Sequence, residues 1–375
     1  MNRRVLIFSL AYFPVEGGAE IAVKEITDRL PDIEFDIVTL RFNKTHPAKE
    51  RVGNVNVYRI GGGLGYLSKI LFIPQATLFA LRRKYDLYWV VMTYMLFPVV
   101  LGRLFGDRTP YVLTLQDGDP FEHVFARLRI FPFLPMLFYG FRRASKVQAI
   151  SNYLAEWANK MGYKDKVEVI PNGVDVEKFQ RPHPVSSSRP SPYQGEGEGG
   201  EVCLITTSRL VEKNGVGDII ESLKYLPENV HLKILGTGPL EEVLKLKVQS
   251  GKLGNRVRFL GHVPYEEIPK HLHDADIFIR PSVSEGFGNS FIEAMAAGVP
   301  VIATPVGGIP DFLENGSTGL FCEVNNPESI AREVKKLMSD KLLREKIINN
   351  AQKMVAERYD WNLIASEMQS KVFNI

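Results

Sequence analysis

Short runs of β-branched and aliphatic residues recur along the chain, separated by stretches whose apolar positions return every three or four residues. In the C-terminal part the runs are Val202 to Thr207, His231 to Leu235, Val257 to Leu260, Ile277 to Ile279, Val299 to Ala303 and Leu320 to Val324. Helix-period segments begin near Gly215, Leu240, Glu266, Asn289 and Ile309, and this alternation predicts a parallel sheet covered by helices on both faces. The N-terminal part repeats the theme less cleanly, with strands expected at Val5 to Ala11, Phe35 to Leu40, Val55 to Ile60, Leu87 to Met92, Val112 to Leu115, Lys146 to Ile150 and Val167 to Ile170. The expected fold class is α/β, with two doubly wound domains.

The pattern fails at Pro182 to Gly200 (PHPVSSSRPSPYQGEGEGG), which has no apolar periodicity and cannot pack a core. It reads as a linker at 182–200 between an N-terminal domain, 1–181, and a C-terminal one, 201–360. From Asn326 to about Tyr359 the pattern is one long charged helix opening at Pro327, interrupted by Tyr359-Asp360-Trp361. The amphipathic segment that follows, within 361–375, is expected to be a helix able to pack on either domain, the N-terminal one included.

Composition narrows the picture. With 375 residues, 45% hydrophobic and 24% charged, the chain is long enough for two ordinary globular cores. The 46 basic and 43 acidic residues leave a net charge of +3, too small for a protein that grips nucleic-acid phosphates. Cys203 and Cys322, the two cysteines, lie in apolar runs and read as buried thiols in a reducing compartment. The opening MNRRVLIFSLAYFP lacks a small-residue cleavage site and reads as a strand. Leu87 to Gly102 and Ala294 to Pro310 fall short of the roughly 20 apolar residues of a spanning helix. A cytoplasmic protein is expected, with no transmembrane helix.

In parallel α/β domains, ligands sit at the carboxyl ends of strands, where helix N-termini aim N–H groups at anions. The segment Arg280 to Glu293 (RPSVSEGFGNSFIE) stands there, after one strand and into a helix opening at about Asn289. Gly286 and Gly288 flank Phe287 and permit close backbone approach to a phosphate. Glu285 would face ligand hydroxyls, and Glu293, one turn into the helix, would accept from a ribose. A capping box with Ser290 is the alternative for Glu293. Arg209 and Lys213, on the turn after another strand, suit a diphosphate, or are solvated surface charges. Gly236-x-Gly238, Gly307-Gly308 and Gly17-Gly18-Ala19-Glu20 repeat the sequence of strand, glycine loop and helix, each weak alone. Gly61 to Gly65 misses the dinucleotide spacing, and no P-loop occurs. Asp117 with Asp119 suits a divalent ion without specifying one, and Asp274 with Asp276 reads as a helix end.

Taken together these stretches resemble the large family of retaining glycosyltransferases with the GT-B fold and a Glu-x7-Glu signature. Glu285 to Glu293 carries the signature, supported by Glu293 to Ala303 (EAMAAGVPVIA), Val169 to Asp175 (VIPNGVD), Ser208-Arg209-Leu210, Gly236-x-Gly238-Pro239 and Gly307 to Asp311 in family order. The resemblance implies two Rossmann-like domains facing a cleft. It implies a UDP- or GDP-sugar donor, an acceptor glycan or lipid-linked saccharide, no cofactor and no tightly bound metal. By the same resemblance Arg209 and Lys213 hold the donor diphosphate, Glu285 and the Phe287-Gly288 backbone, with Gly286 and Asn289 beside it, face the sugar, Glu293 holds the ribose, and Gly18 lines the cleft. Two places depart from it. Asn214 stands where relatives carry Lys before the glycine matching Gly215, and Gln116 stands where relatives often carry His, so that it can hydrogen-bond a sugar but cannot titrate. A nucleotide-sugar epimerase and a non-catalytic nucleotide-sugar-binding protein of the same fold are the alternatives.

One further segment, Arg127 to Arg143 (RLRIFPFLPMLFYGFRR), is densely apolar between Arg127 and Arg129 at one end and Arg142 and Arg143 at the other. It reads either as core or as a peripheral membrane surface on which Phe131, Phe133 and Leu137 dip among lipids while arginines meet phosphates.

Overall fold

The computed structural model describes residues 3–62, 65–127, 130–180 and 200–374. The linker expected at 182–200 lies outside these residues except for Gly200, and so does Arg129. The chain divides into two compact units, Met1–Asn172 with Trp361–Ile375, and Gly173–Asp360. The division falls ahead of residue 181 because the short helix Val176–Gln180 belongs to the second unit. Its Phe179 is fully buried there and its Phe179 carbonyl lies 2.8 Å from His273 Nε2.

The first unit holds, among the described residues, an eight-stranded sheet in the order β3-β4-β2-β1-β5-β6-β7-β8. Its strands are β1 Arg3–Phe8, β2 Ile33–Leu40, β3 Lys49–Val52, β4 Val55–Ile60, β5 Leu87–Val91, β6 Tyr111–Leu115, β7 Lys146–Ala149 and β8 Glu168–Val169. All neighbours run parallel except β3, which is antiparallel to β4 and has only half-exposed or exposed residues, as an edge strand outside the core can. Every residue of β5 and β6 is buried, since helices cover both faces. The segment after Asp360 completes this core. It forms the helix Trp361–Glu367 and a wider turn Met368–Phe373, with Phe373 set edge-on against Trp89, ring centres 4.9 Å apart.

The second unit is all parallel, in the order β11-β10-β9-β12-β13-β14, from β9 Val202–Thr207, β10 Val230–Leu235, β11 Val257–Gly261, β12 Ile277–Arg280, β13 Val301–Ala303 and β14 Leu320–Phe321. Both sheets are Rossmann-like. The long helix expected from Asn326 is two helices, Pro327–Ser339 and Lys341–Arg358. Asp340 leaves helical geometry (ψ 90°), and its carboxylate accepts the Leu343 N–H at 2.9 Å, so it ends one helix and caps the next. Ile309 begins a single 3-10 turn, Ile309–Asp311, rather than a full helix. Both cysteines are buried and free, with burial pushing the Cys322 thiol up to about 12. No helix among the described residues is long and apolar enough to cross a membrane.

Candidate active site

Strand order reverses between β9 and β12. From β9 the sheet builds outward through β10 and β11, and from β12 through β13 and β14. Loops leaving adjacent strand ends in opposite directions open a crevice, the usual ligand position in such sheets. The loops that leave these two strands carry Arg209, Lys213, Glu285 and, on the helix beyond, Glu293.

Arg280, the last residue of β12, organises this point. It is 7% exposed. Its Nη2 donates to Glu285 Oε2 at 2.5 Å, and its Nη1 donates to Ser290 Oγ at 2.7 Å and to the Thr207 carbonyl of β9 at 3.4 Å. Its guanidinium lies 4.3 Å from the centre of the Phe291 ring. The other Glu285 oxygen accepts the Gly286 N–H at 3.1 Å.

Glu293 sits on the helix Asn289–Ala296 and is 7% exposed. The alternative of a capping box does not form, because the N-cap is Gly288, with no side-chain cap, and Ser290 is engaged by Arg280. Burial pushes the Glu293 carboxyl up to about 7, against the opposing pull of Arg280, Lys178 and a hydrogen bond from Tyr265. Lys178 Nζ lies 4.5 Å from the centre of the Tyr265 ring. A buried carboxyl raised this far marks a candidate functional position.

Arg209 is exposed and makes no side-chain hydrogen bond or ion pair among the described residues, whereas Lys213 is half-buried and its carbonyl takes the Val283 N–H at 2.7 Å. Asn214 is buried, and its Nδ2 donates to the Arg209 carbonyl at 2.7 Å. It therefore braces the Arg209 turn from inside, and a Lys there would bury its charge.

Three glycines serve the packing of backbone on backbone. Gly307 has φ +56°, and a Cβ there would overlap the Glu285 carbonyl, which also accepts the Gly308 N–H at 3.1 Å. Gly236 has φ +129°, and its Cβ would overlap the Ser208 carbonyl, while Gly238 packs as closely on Leu210. The Phe287 side chain is core, edge-on to Phe312, so only its backbone is left to face a ligand. Asn289 opens the helix. The same strand ends hold the buried Thr207 Oγ1, Ser208 Oγ, Ser282 Oγ and Arg280 Nε, which have no partner among the described residues. Asp276 accepts the Cys203 N–H at 2.7 Å and is structural.

The first unit has its own reversal, between β1 and β5. Gly18 opens the helix Gly18–Asp28 after β1, with Gly17 as an N-cap that offers no side chain. Burial raises the Glu20 carboxyl in that first turn. Gln116, just past β6, is buried in a reciprocal amide pair, its Nε2 donating to Asn172 Oδ1 at 3.2 Å and its Oε1 accepting from Asn172 Nδ2 at 3.4 Å. Asp117 is buried and accepts from Thr93 Oγ1 at 3.0 Å; burial pushes it up to about 6. Among the described residues no three His, Cys, Asp or Glu side chains converge as a metal site.

Sequence comparison assigns both units. Residues 194–354 match the family described as Glycosyl transferases group 1, and residues 16–178 match Glycosyltransferase Family 4. The chain belongs to the group 1 glycosyltransferase family. An uncharacterized glycosyltransferase of Methanocaldococcus jannaschii is 33% identical over 210 residues, 54% of this chain and 53% of the relative. The GDP-mannose-dependent alpha-(1-6)-phosphatidylinositol monomannoside mannosyltransferase of Mycobacterium tuberculosis is 30% identical over 233 residues, 59% of this chain and 60% of the relative. The chain thus spans little more than half the length of these two relatives. Anabaena HepE, crystallised in complex with UDP and glucose, superposes with a TM-score of 0.81 at 22% identity over 100% of both chains. This group 1 glycosyltransferase therefore has the GT-B fold.

Arg280, Lys178 and Tyr265 are the residues of this candidate site that sequence reasoning passed over. A cation closing an apolar strand, with Glu five and Ser ten positions on, was the available signal for Arg280.

Proposed function

We propose that this protein transfers a sugar from a nucleoside diphosphate donor, UDP- or GDP-linked, to an acceptor hydroxyl with retention of configuration. The observation that carries the reading is the β9/β12 reversal, where Glu285 is fixed by Arg280, Glu293 is buried one turn beyond, and Arg209 is exposed on the facing turn. Arg209 and Lys213 would meet the diphosphate, Glu285 and the backbone from Gly286 to Asn289 the sugar, and Glu293 the ribose. Because two relatives of differing base, one named for GDP-mannose and one crystallised with UDP, share this family or fold, both bases stay in the proposal.

In the reaction the C1–O bond to the diphosphate breaks and a C1–O bond to the acceptor forms on the same face. The acceptor proton passes to the departing phosphate oxygen, so no protein nucleophile is required. Cationic side chains stabilise the charge that develops on the leaving group. Gln116, engaged with Asn172, is assigned to acceptor-side hydrogen bonding rather than to proton transfer.

A lipid-linked acceptor at an anionic membrane surface is the reading that the first unit supports. Phe131 and Phe133 are 70% and 48% exposed, and an open groove of about 520 Å³ is lined by Pro135, Phe138, Tyr139, Arg142 and Arg143. Leu137 drops out of this surface, because it is fully buried in the core.

The test is a panel of UDP- and GDP-sugars offered with lipid-linked and soluble saccharides, with the product anomer read by NMR. The α-linked donor should give an α-linked product in the presence of EDTA. An inverted product, or activity lost to EDTA and restored by Mg²⁺ or Mn²⁺, would overturn the mechanism. Donor isomerised without acceptor would favour an epimerase.

A further inference from the structure

We infer that Arg280 is a positioning residue shared by the two carboxylates of the donor site, aiming Glu285 at the sugar and setting the charge environment of Glu293 at the ribose. The inference rests on the donor-site reading above and adds a residue and a division of labour to it.

The geometry is that of a hub. One guanidinium joins the end of β9 through the Thr207 carbonyl, the sugar loop through Glu285, and the first turn of the helix through Ser290, while its face rests on Phe291 of the same helix. Glu285 is fixed by two bonds, one to each oxygen, and swings only if both break. Each oxygen keeps a lone pair for a sugar hydroxyl. A planar fork is needed for these simultaneous contacts, since an ammonium is a point donor that can reach Glu285 or Ser290 but cannot reproduce the fork or the stacking.

The same guanidinium holds Ser290 and Phe291, about one turn before Glu293 on the helix Asn289–Ala296, and from there its charge acts on Glu293. Glu293 is faced by Arg280, Lys178 and Tyr265, and of these Arg280 exerts the largest pull towards the ionised form, opposing burial. One cation therefore couples a group that meets the sugar with a group that meets the nucleoside. Charge and shape are separable, because Lys keeps the first and loses the second, whereas Met loses both.

The two roles are read by different ligands. UDP or GDP alone, whichever the wild-type protein binds, reports on Glu293. The extra affinity and the slow hydrolysis of UDP-glucose or GDP-mannose report on Glu285. Calorimetry of the full chain across about pH 6 to 9 should show wild-type nucleotide affinity rising with pH. Arg280→Lys should keep that midpoint and lose roughly tenfold or more of donor hydrolysis and of the sugar-dependent affinity. Arg280→Met should lose the sugar terms and also move the midpoint upward by about one pH unit. Ser290→Ala removes a single contact of the hub and should reduce the sugar terms a few-fold at unchanged nucleotide affinity. If Arg280→Met does not fold, the Lys and Ala variants decide. Wild-type sugar terms in both, or a wild-type midpoint in a folded Met variant, would overturn the shared role. A wild-type protein that binds neither nucleotide would sink the donor-site reading itself, a result distinct from nucleotide binding that the variants leave unaltered.

Discussion

The two strand-order reversals of this molecule share an architecture and differ in what fills them. At β9/β12 the strand ends and their loops hold Arg280, Glu285, Glu293, Arg209 and Lys213, with Lys178 and Tyr265 alongside. At β1/β5 and the neighbouring β6 the buried groups are an amide pair, Gln116 with Asn172, and an aspartate held by Thr93. The first set braces charge against charge and suits an anionic ligand rich in hydroxyls. The second presents an amide pair and a buried carboxyl, each hydrogen-bonded within the unit. The parallel sheet supplies a crevice in both units, and the side chains at its rim decide the chemistry.

The contrast is broken most strongly by removing charge from the second unit. Glu293→Ala and Arg209→Ala should each lose roughly 1.5 to 3 kcal/mol of donor binding with the fold intact. Unchanged affinity in both, by calorimetry, would remove the donor from this crevice.

Proton linkage at Glu293 comes next in size. Its carboxyl is raised in the folded protein from an ordinary 4.5 to about 7. The stability it contributes is therefore fully present below pH 4.5 and is lost as pH rises through 7. Glu293→Gln should match the wild type in melting temperature near the lower value and exceed it at about pH 8. Ribose hydroxyls donate to the ionised form, so nucleotide affinity should climb through the same window in the wild type and stay flat in the Gln variant. A flat wild-type profile would contradict the burial argument.

In the first unit the corresponding change is smaller and of another kind. Gln116→Ala removes both hydrogen bonds to the Asn172 amide and should cost about 1 kcal/mol of stability while leaving UDP or GDP binding untouched. A fall in nucleotide affinity would erase the distinction between the two regions.

The smallest expected effect concerns the exposed aromatics. Phe131→Ser with Phe133→Ser should weaken co-sedimentation with anionic liposomes a few-fold at low salt and leave nucleotide binding alone. If the wild-type protein ignores such liposomes, a soluble acceptor is the better assignment.

The strands were legible because each is a short apolar run between turn signals; the expected Val202 to Thr207 and Val55 to Ile60 coincide with β9 and β4. β3 escaped because KERV is polar and its pairing comes from a turn, not from burial. The helix Tyr66–Leu81 escaped because it is apolar nearly all round and contains Pro74, so it carries no periodic signal. In the site, Glu285 and Glu293 were visible through their spacing in one continuous segment. The Gln116 and Asn172 pair joins residues 56 apart, and local pattern holds no record of such contacts. Asn214 was legible as a departure, but its inward bond to Arg209 could be known only from the fold.

The return of the chain to its first unit sets an order of manufacture. The second unit is drawn from one continuous stretch, Gly173–Asp360, and every strand of it has been synthesised before Trp361. The first unit needs Trp361, Ile364, Met368 and Phe373 to fill the face of the sheet that holds Val5, Phe35 and Trp89. On the ribosome, then, the segment made first is finished last. Its strands wait with part of that face uncovered until the helix from Trp361 emerges, and a chain stalled before residue 361 would present it to chaperones.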